Sequence, residues 1–293
     1  MTKKLNNKLD ARVIFDINKK AAEEGKANAQ YILGCMYNNG DAGVRDLSQS
    51  FYWWKKAAEQ GHLESQYNIA NMYYFGDGIP QDYSQAFYWL KKVAEQGMAD
   101  AQFRLGNMYC FGHYVEQDYS QAIVWLKKAG EQGHEDAQYN LAQLYFDGSG
   151  CDKNYSQAFK LWKNLSHHGH LMARFRLGYM YFFGKGVHQD KLKAFKLWKE
   201  AAEEGHSESQ SYLAHIYMSG IAVKKNASRA FYWWKKAAEQ DNPDAMLNLG
   251  YVYYNGDGVE QDYQIAKEYF KKSCDLGYQK GCEEYKKIID EGH

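Results

Sequence analysis

Ten histidines and five cysteines are the residues of this chain that most invite a chemical reading. His62, His134, His170 and His206 share one position of a recurring pattern, and His167, His168 and His170 crowd together in the run HHGH. A metal site needs three or four ligands that converge. No acid or cysteine of that segment joins the cluster, so these histidines read as solvated helix ends and no metal is expected. The glycine loops at 76–78, 148–150, 184–186 and 256–258 invite a phosphate-loop reading. They follow a helical pattern instead of a strand and lack the Walker spacing. They are expected to be helix C-caps followed by a turn, with Val115, Val187, Val223 and Val259 tucked inward. A Ser-x-x-Lys nucleophile spacing is absent. His134-Glu135 continues as Asp136-Ala137-Gln138 and so completes no metalloprotease motif. No catalytic residue and no cofactor is expected.

What must position these residues is a repeat. The stretch from Asp82 to Val115 has close copies beginning at Asp46, Asp118, Asn154, Asp190, Asn226 and Asp262, each 36 residues from the last. A sustained period between about 20 and 50 residues signals a solenoid. The expected units lie near 11–45, 46–81, 82–117, 118–153, 154–189, 190–225, 226–261 and 262–293, with residues 1–10 a flexible N-terminus and 11–293 a single domain. The fold class is all-α, an α-solenoid of about eight antiparallel helix pairs. Identical stacked hairpins should leave an open flank and no enclosed pocket.

Each unit carries its own instructions. Asp82 with Gln85 three residues on forms a capping box, as do Asp46/Gln49, Asp118/Gln121 and Asn154/Gln157. Ala86, Leu90, Val93 and Ala94 fall on one helical face. Gly97, repeated at Gly25, Gly61, Gly133, Gly169, Gly205 and Gly277 and replaced once by Asp241, ends that helix. Pro243 after Asn242 reads as the first residue of a second helix. Small residues recur in the Ala86 and Gly106 columns, where they should let neighbouring backbones approach. Large ones recur in the Trp89 and Tyr109 columns, where they should fill the space between.

The pattern A-x-x-W-x-K-K-A-A-E-Q-G-x-x-x-A-Q-x-x-L-G-x-M-Y-x-x-G-x-G-V, fullest at 51–78 and 231–258, resembles the Sel-one-like repeat family of the tetratricopeptide class, over about residues 11–290. The resemblance implies a right-handed superhelix whose first helices line the concave surface. It also implies a non-enzymatic scaffold or adaptor that binds a protein or peptide, in host-interaction, regulatory or toxin-neutralising roles. On the helix taken as first, the outward strip nominates Tyr52, Lys56, Tyr88, Lys92, Lys128, Lys160, Lys196, Tyr232 and Lys236 as partner-binding residues. Tyrosine is a frequent interface anchor. Tyr74, Phe75, Phe111, Phe146, Phe182 and Phe183 at the loop edge read as packed beneath the loops. The run KKSCDLGYQKGC resembles the cysteine-rich branch of the family, which implies a Cys274–Cys282 disulfide if the chain is oxidised. The odd cysteine count favours the reduced reading. That branch also supplies the alternative function, a β-lactamase-like hydrolase.

Composition narrows the rest. Lys+Arg and Asp+Glu both total 36, a formal net charge of zero, which gives no support to nucleic-acid binding. No run approaches 18 apolar residues, so no membrane-spanning segment is expected. The N-terminal segment has no apolar signal region, which points to the cytoplasm, with export lacking a cleaved signal or a mature periplasmic form as alternatives. A monomer is expected.

Overall fold

The computed structural model describes residues 2–41, 43 and 45–292, without the side chains of residues 2–11. Among the described residues there are sixteen α-helices and no strand. They fall into two compact units, Met1–Asp152 and Lys153–His293, where the sequence suggested one domain; the break lies at a repeat boundary. The first unit holds α1 (Thr2–Glu23), α2 (Ala27–Asn39), α3 (Leu47–Glu59), α4 (Leu63–Phe75), α5 (Tyr83–Glu95), α6 (Ala99–Phe111), α7 (Tyr119–Glu131) and α8 (Glu135–Asp147). The second holds α9 (Tyr155–His167), α10 (Leu171–Phe183), α11 (Lys191–Glu203), α12 (Ser207–Ser219), α13 (Ala227–Ala238), α14 (Pro243–Asn255), α15 (Tyr263–Asp275) and α16 (Gln279–Asp290). Within each unit, successive helices pack on one another as a repeat solenoid does. Helix α1 begins at Thr2, not near Ala11, so the segment expected to be flexible is helical where it is described.

The physics of one repeat is visible in α5. Asp82 takes an extended backbone and its carboxylate accepts the Ser84 and Gln85 N–H groups, which otherwise lack partners at the helix start. Ala86, Leu90, Val93 and Ala94 are completely buried. Burying a side chain such as Leu90 contributes about 1.5–3 kcal/mol. The helix closes at Gln96, and Gly97 at φ +99° turns the chain directly into α6. Asp241 makes the same turn at φ +57°. The return connection is longer. It is pinned where the Asp82 N–H donates to the Tyr73 carbonyl at 2.9 Å, a tie repeated from Asp46 to Tyr37 and from Asp118 to Tyr109.

Close approach explains the small column. A Cβ on Gly34 would sit 2.4 Å from Trp54 Cδ1, and one on Gly106 would sit 2.8 Å from Leu126 Cγ. In the second unit, Gly178 meets Trp198 at 2.5 Å and Gly250 meets Phe270 at 2.4 Å. The loop glycines are used the same way. A Cβ on Gly78 would lie 2.3 Å from Leu47 Cβ, so the GDG loop packs on the start of α3 and cradles nothing. Val115, Val187, Val223 and Val259 are half-buried against the core.

A buried glutamine ladder runs through the repeats. Gln66 Nε2 donates to the Ala58 carbonyl at 2.9 Å, and its Oε1 accepts from Gln96 Nε2 at 3.1 Å. The same relay joins Gln102 to Ala94 and Gln132, and Gln210 to Ala202 and Gln240. Each buried amide is thereby satisfied, which burial requires. At the C-terminal end Cys274 and Cys282 are joined in a disulfide with Cα atoms 4.4 Å apart, contrary to the reduced reading. Parity misled there, because Cys35, Cys110 and Cys151 are a separate set of free thiols.

Candidate interaction surfaces

The nominated strip is exposed, and its residues are held in small clusters. In the first unit Tyr52 packs edge-on against Trp53 with ring centroids 5.0 Å apart, and Lys56 Nζ lies 4.7 Å from the Tyr52 centroid. Tyr88 packs on Trp89 at 5.1 Å, and Lys92 sits 5.2 Å from the Trp89 ring. Lys128 lies 4.3 Å from Trp125, beside Val124 in place of a tyrosine. In the second unit Tyr232 packs on Trp233 at 5.0 Å, and Lys236 pairs with Glu239 at 3.0 Å. Lys160 and Lys196 are exposed without a neighbouring tyrosine in their column. The tryptophans Trp53, Trp89 and Trp125 are more than nine-tenths buried, so each cluster is a solvent-facing tyrosine or lysine resting on a fixed ring. The loop-edge aromatics divide. Tyr74, Phe146 and Phe182 are half-buried, whereas Phe75, Phe111 and Phe183 are exposed, against the expectation that all pack beneath loops.

The histidine column is structural, but not as solvated ends. His62, His134, His170 and His206 are helix N-caps whose Nδ1 accepts the backbone N–H three residues on. Three of the rings lie against an aromatic side chain of the preceding repeat: His62 on Tyr31 at 4.6 Å, His134 on Phe103 at 4.4 Å, His206 on Phe175 at 5.3 Å. Among the described residues no group of three or more His, Cys, Asp or Glu could hold a metal.

The expectation of no pocket fails in the second unit. A cavity of about 490 Å³ opens there, lined by residues of α10, α11, α12 and α14 together with Tyr278. At its edge Asp244 Oδ2 accepts from Ser211 Oγ at 2.6 Å and lies 3.0 Å from His215 Nε2. Burial works to raise the Asp244 carboxyl. Hydrogen bonds from His215, Ser211 and Asn248 outweigh it and hold the group below the usual carboxylate range. The three residue types of a catalytic triad are present in the wrong order. The carboxylate stands between serine and histidine, so the hydroxyl is bonded to an acceptor and touches no base.

The Sel1 repeat profile matches seven consecutive segments, 27–62, 63–98, 99–134, 135–170, 171–206, 207–242 and 243–278. These start one helix earlier than repeats counted from Asp46. In the family's register the first helices are α2, α4 and so on to α14, and the tyrosine–lysine strip lies on the second helices. The resemblance-based assignment of that strip to a concave face does not carry over in this register. No curated protein matches the chain. Among solved structures, a Sel1 repeat protein from Oxalobacter formigenes is 31% identical, with a TM-score of 0.78 over 94% of this chain and 79% of that one. The protective antigen c5321 of uropathogenic Escherichia coli, described as having an SLR fold, is 30% identical, with a TM-score of 0.58 over 94% of this chain and 67% of its own. Yeast Tom70, at 15% identity and a TM-score of 0.52 over 96% of this chain and 58% of that one, shares the fold alone. Seven profile matches in unbroken register, and the buried glycine, tryptophan and cap columns that explain them, place this chain in the Sel1 repeat family.

Proposed function

We propose that the chain is a non-enzymatic interaction scaffold whose partner is a protein or peptide. The observation that carries this reading is the set of exposed tyrosines and lysines resting on buried tryptophans. Tyr52, Tyr88 and Tyr232 are each about half exposed, yet each is oriented by a ring beneath it. A rigid exposed aromatic loses little conformational entropy on docking, which suits an interface anchor. Helical-repeat relatives support the class of function, and the role, whether regulatory, host-facing or toxin-neutralising, follows from the partner. The bonded Cys274–Cys282 pair supports an oxidising compartment over the cytoplasm. Among the described residues no helix is long and apolar enough to cross a membrane.

The test combines Tyr52→Ala, Tyr88→Ala and Tyr232→Ala. The triple variant should melt like the parent and lose a partner that the parent crosslinks in its native host. Full recovery of that partner would remove the strip from the interface. Turnover of nitrocefin by pure protein, abolished by a single substitution, would support the hydrolase alternative; none is expected.

A further inference from the structure

One column of the repeat is broken at a single place. Tyr31, Tyr67, Phe103, Tyr139 and Phe175 recur every 36 residues, and the next member is Ser211. The imidazole that lies against this column changes with it. Phe175 has His206 against it at 5.3 Å, and the corresponding pair one repeat later is Ser211 and Asn242. Two rings are therefore replaced by two small polar side chains, and both of these line the 490 Å³ cavity. The void is the space those rings would occupy.

What remains around the void is selective. Phe182, Trp198, Tyr212 and Tyr278 supply aromatic surface, and Glu208 and Asp244 supply carboxylates. No lysine or arginine lines it. Arg176, on the neighbouring α10, lies over the Phe175 ring instead. Ser211 and His215 hold the Asp244 carboxylate at the cavity edge.

We propose that this cavity receives an arginine side chain presented by a protein partner. A planar guanidinium can stack on aromatic faces while its N–H groups meet carboxylate oxygens, which an ammonium does less well. The volume lies within the range of organic ligand sites. From the scaffold reading the proposal takes only that the partner is a protein, and its test uses no strip residue.

The test is a calorimetric or NMR titration of the full chain with acetyl-Gly-Arg-Gly-amide, the same peptide bearing citrulline, and N-ethylguanidine. The arginine peptide should bind saturably and more tightly than either control. Asp244→Asn, which preserves shape, should weaken it about fivefold, the scale of one partly exposed charge contact. Ser211→Phe with Asn242→His restores the ring pair of the preceding repeat and should reduce binding about tenfold or more by filling the site. If that double variant fails to fold, Asp244→Asn decides. The proposal is overturned by absence of saturable binding or by equal affinity for citrulline. Equal affinity for N-ethylguanidine would mark a small-molecule site and overturn it too, as would unchanged binding in a folded, filled variant. Loss of partner in the tyrosine triple variant with arginine-peptide binding intact separates the two surfaces.

Discussion

Arg174 pairs with Glu204 at the position where Gln102 pairs with Gln132 in the first unit. An ion pair thus replaces one rung of the glutamine ladder, with the Arg174 side chain only 12% exposed and Glu204 51% exposed. The mostly buried guanidinium depends on its partner. Glu204→Ala should destabilise the second unit by about 1–3 kcal/mol, the cost of leaving a buried polar group unpaired. The double variant Arg174→Gln with Glu204→Gln rebuilds the ladder rung and should fall within about 0.5 kcal/mol of the parent, since a buried ion pair adds little over a satisfied neutral pair. Urea denaturation of the four members of this cycle measures both.

Two helix glycines should respond in opposite directions to alanine. Gly250→Ala places a methyl group 2.4 Å from the Phe270 ring, inside a fully buried contact. Overpacking of this kind costs about 1–3 kcal/mol, which exceeds the helix-propensity gain of about 1 kcal/mol. Gly130→Ala meets only Gln138 Cγ at 3.1 Å, and a flexible side chain can yield. There the propensity term wins, so Gly130→Ala should raise the melting midpoint while Gly250→Ala lowers it. Thermal melts of the two variants separate packing from backbone preference in the same repeat family.

The same contrast shows what the sequence made legible. Asp82, Ala86, Leu90, Gly97 and Gly106 announce themselves because local spacing alone determines their roles, and each recurs every 36 residues. The ladder between Gln66 and Gln96 was missed because a glutamine reads as surface until its partner 30 residues away is known. His62 and His206 were read as solvated because a residue after a turn glycine looks exposed; the aromatic side chain of the preceding repeat covers it. The cavity was hidden for another reason. Its signal is a missing ring at Ser211, and an absence shows only when the column is compared down all repeats.

Left-handed backbone at non-glycine residues gives a third prediction. Ala222 sits at φ +69° in the column where Gly78, Gly150, Gly186 and Gly258 stand, and Tyr114 occupies the same slot at φ +70°. A Cβ in this region costs about 1–2 kcal/mol, partly offset by the greater unfolded-state entropy of glycine. Ala222→Gly should therefore stabilise the second unit by about 0.5–1 kcal/mol in a urea titration. An equal or lower midpoint would mean that the loop relaxes around the alanine without strain.

His206 ties the stability of the second unit to pH. Its Nδ1 accepts the Ser209 N–H at 3.2 Å, so the cap exists only while the ring is neutral at that nitrogen. Burial lowers its pKa; Glu208 opposes the shift, Arg176 adds to it, and the net direction is down. A histidine whose folded pKa lies below its unfolded value near 6.5 binds its proton more readily when unfolded. Stability is therefore complete above about pH 6.5 and is lost as pH falls through that value toward the folded pKa. A protonated ring would also place positive charge at a helix N-terminus, where the dipole disfavours it. His206→Asn copies the Asn242 cap, which accepts the Ala245 N–H at 2.9 Å and does not titrate. Between pH 7.5 and 5.5 the parent should lose more stability than His206→Asn, as measured by urea midpoints at each pH. Identical losses in the two proteins would show that the cap survives protonation.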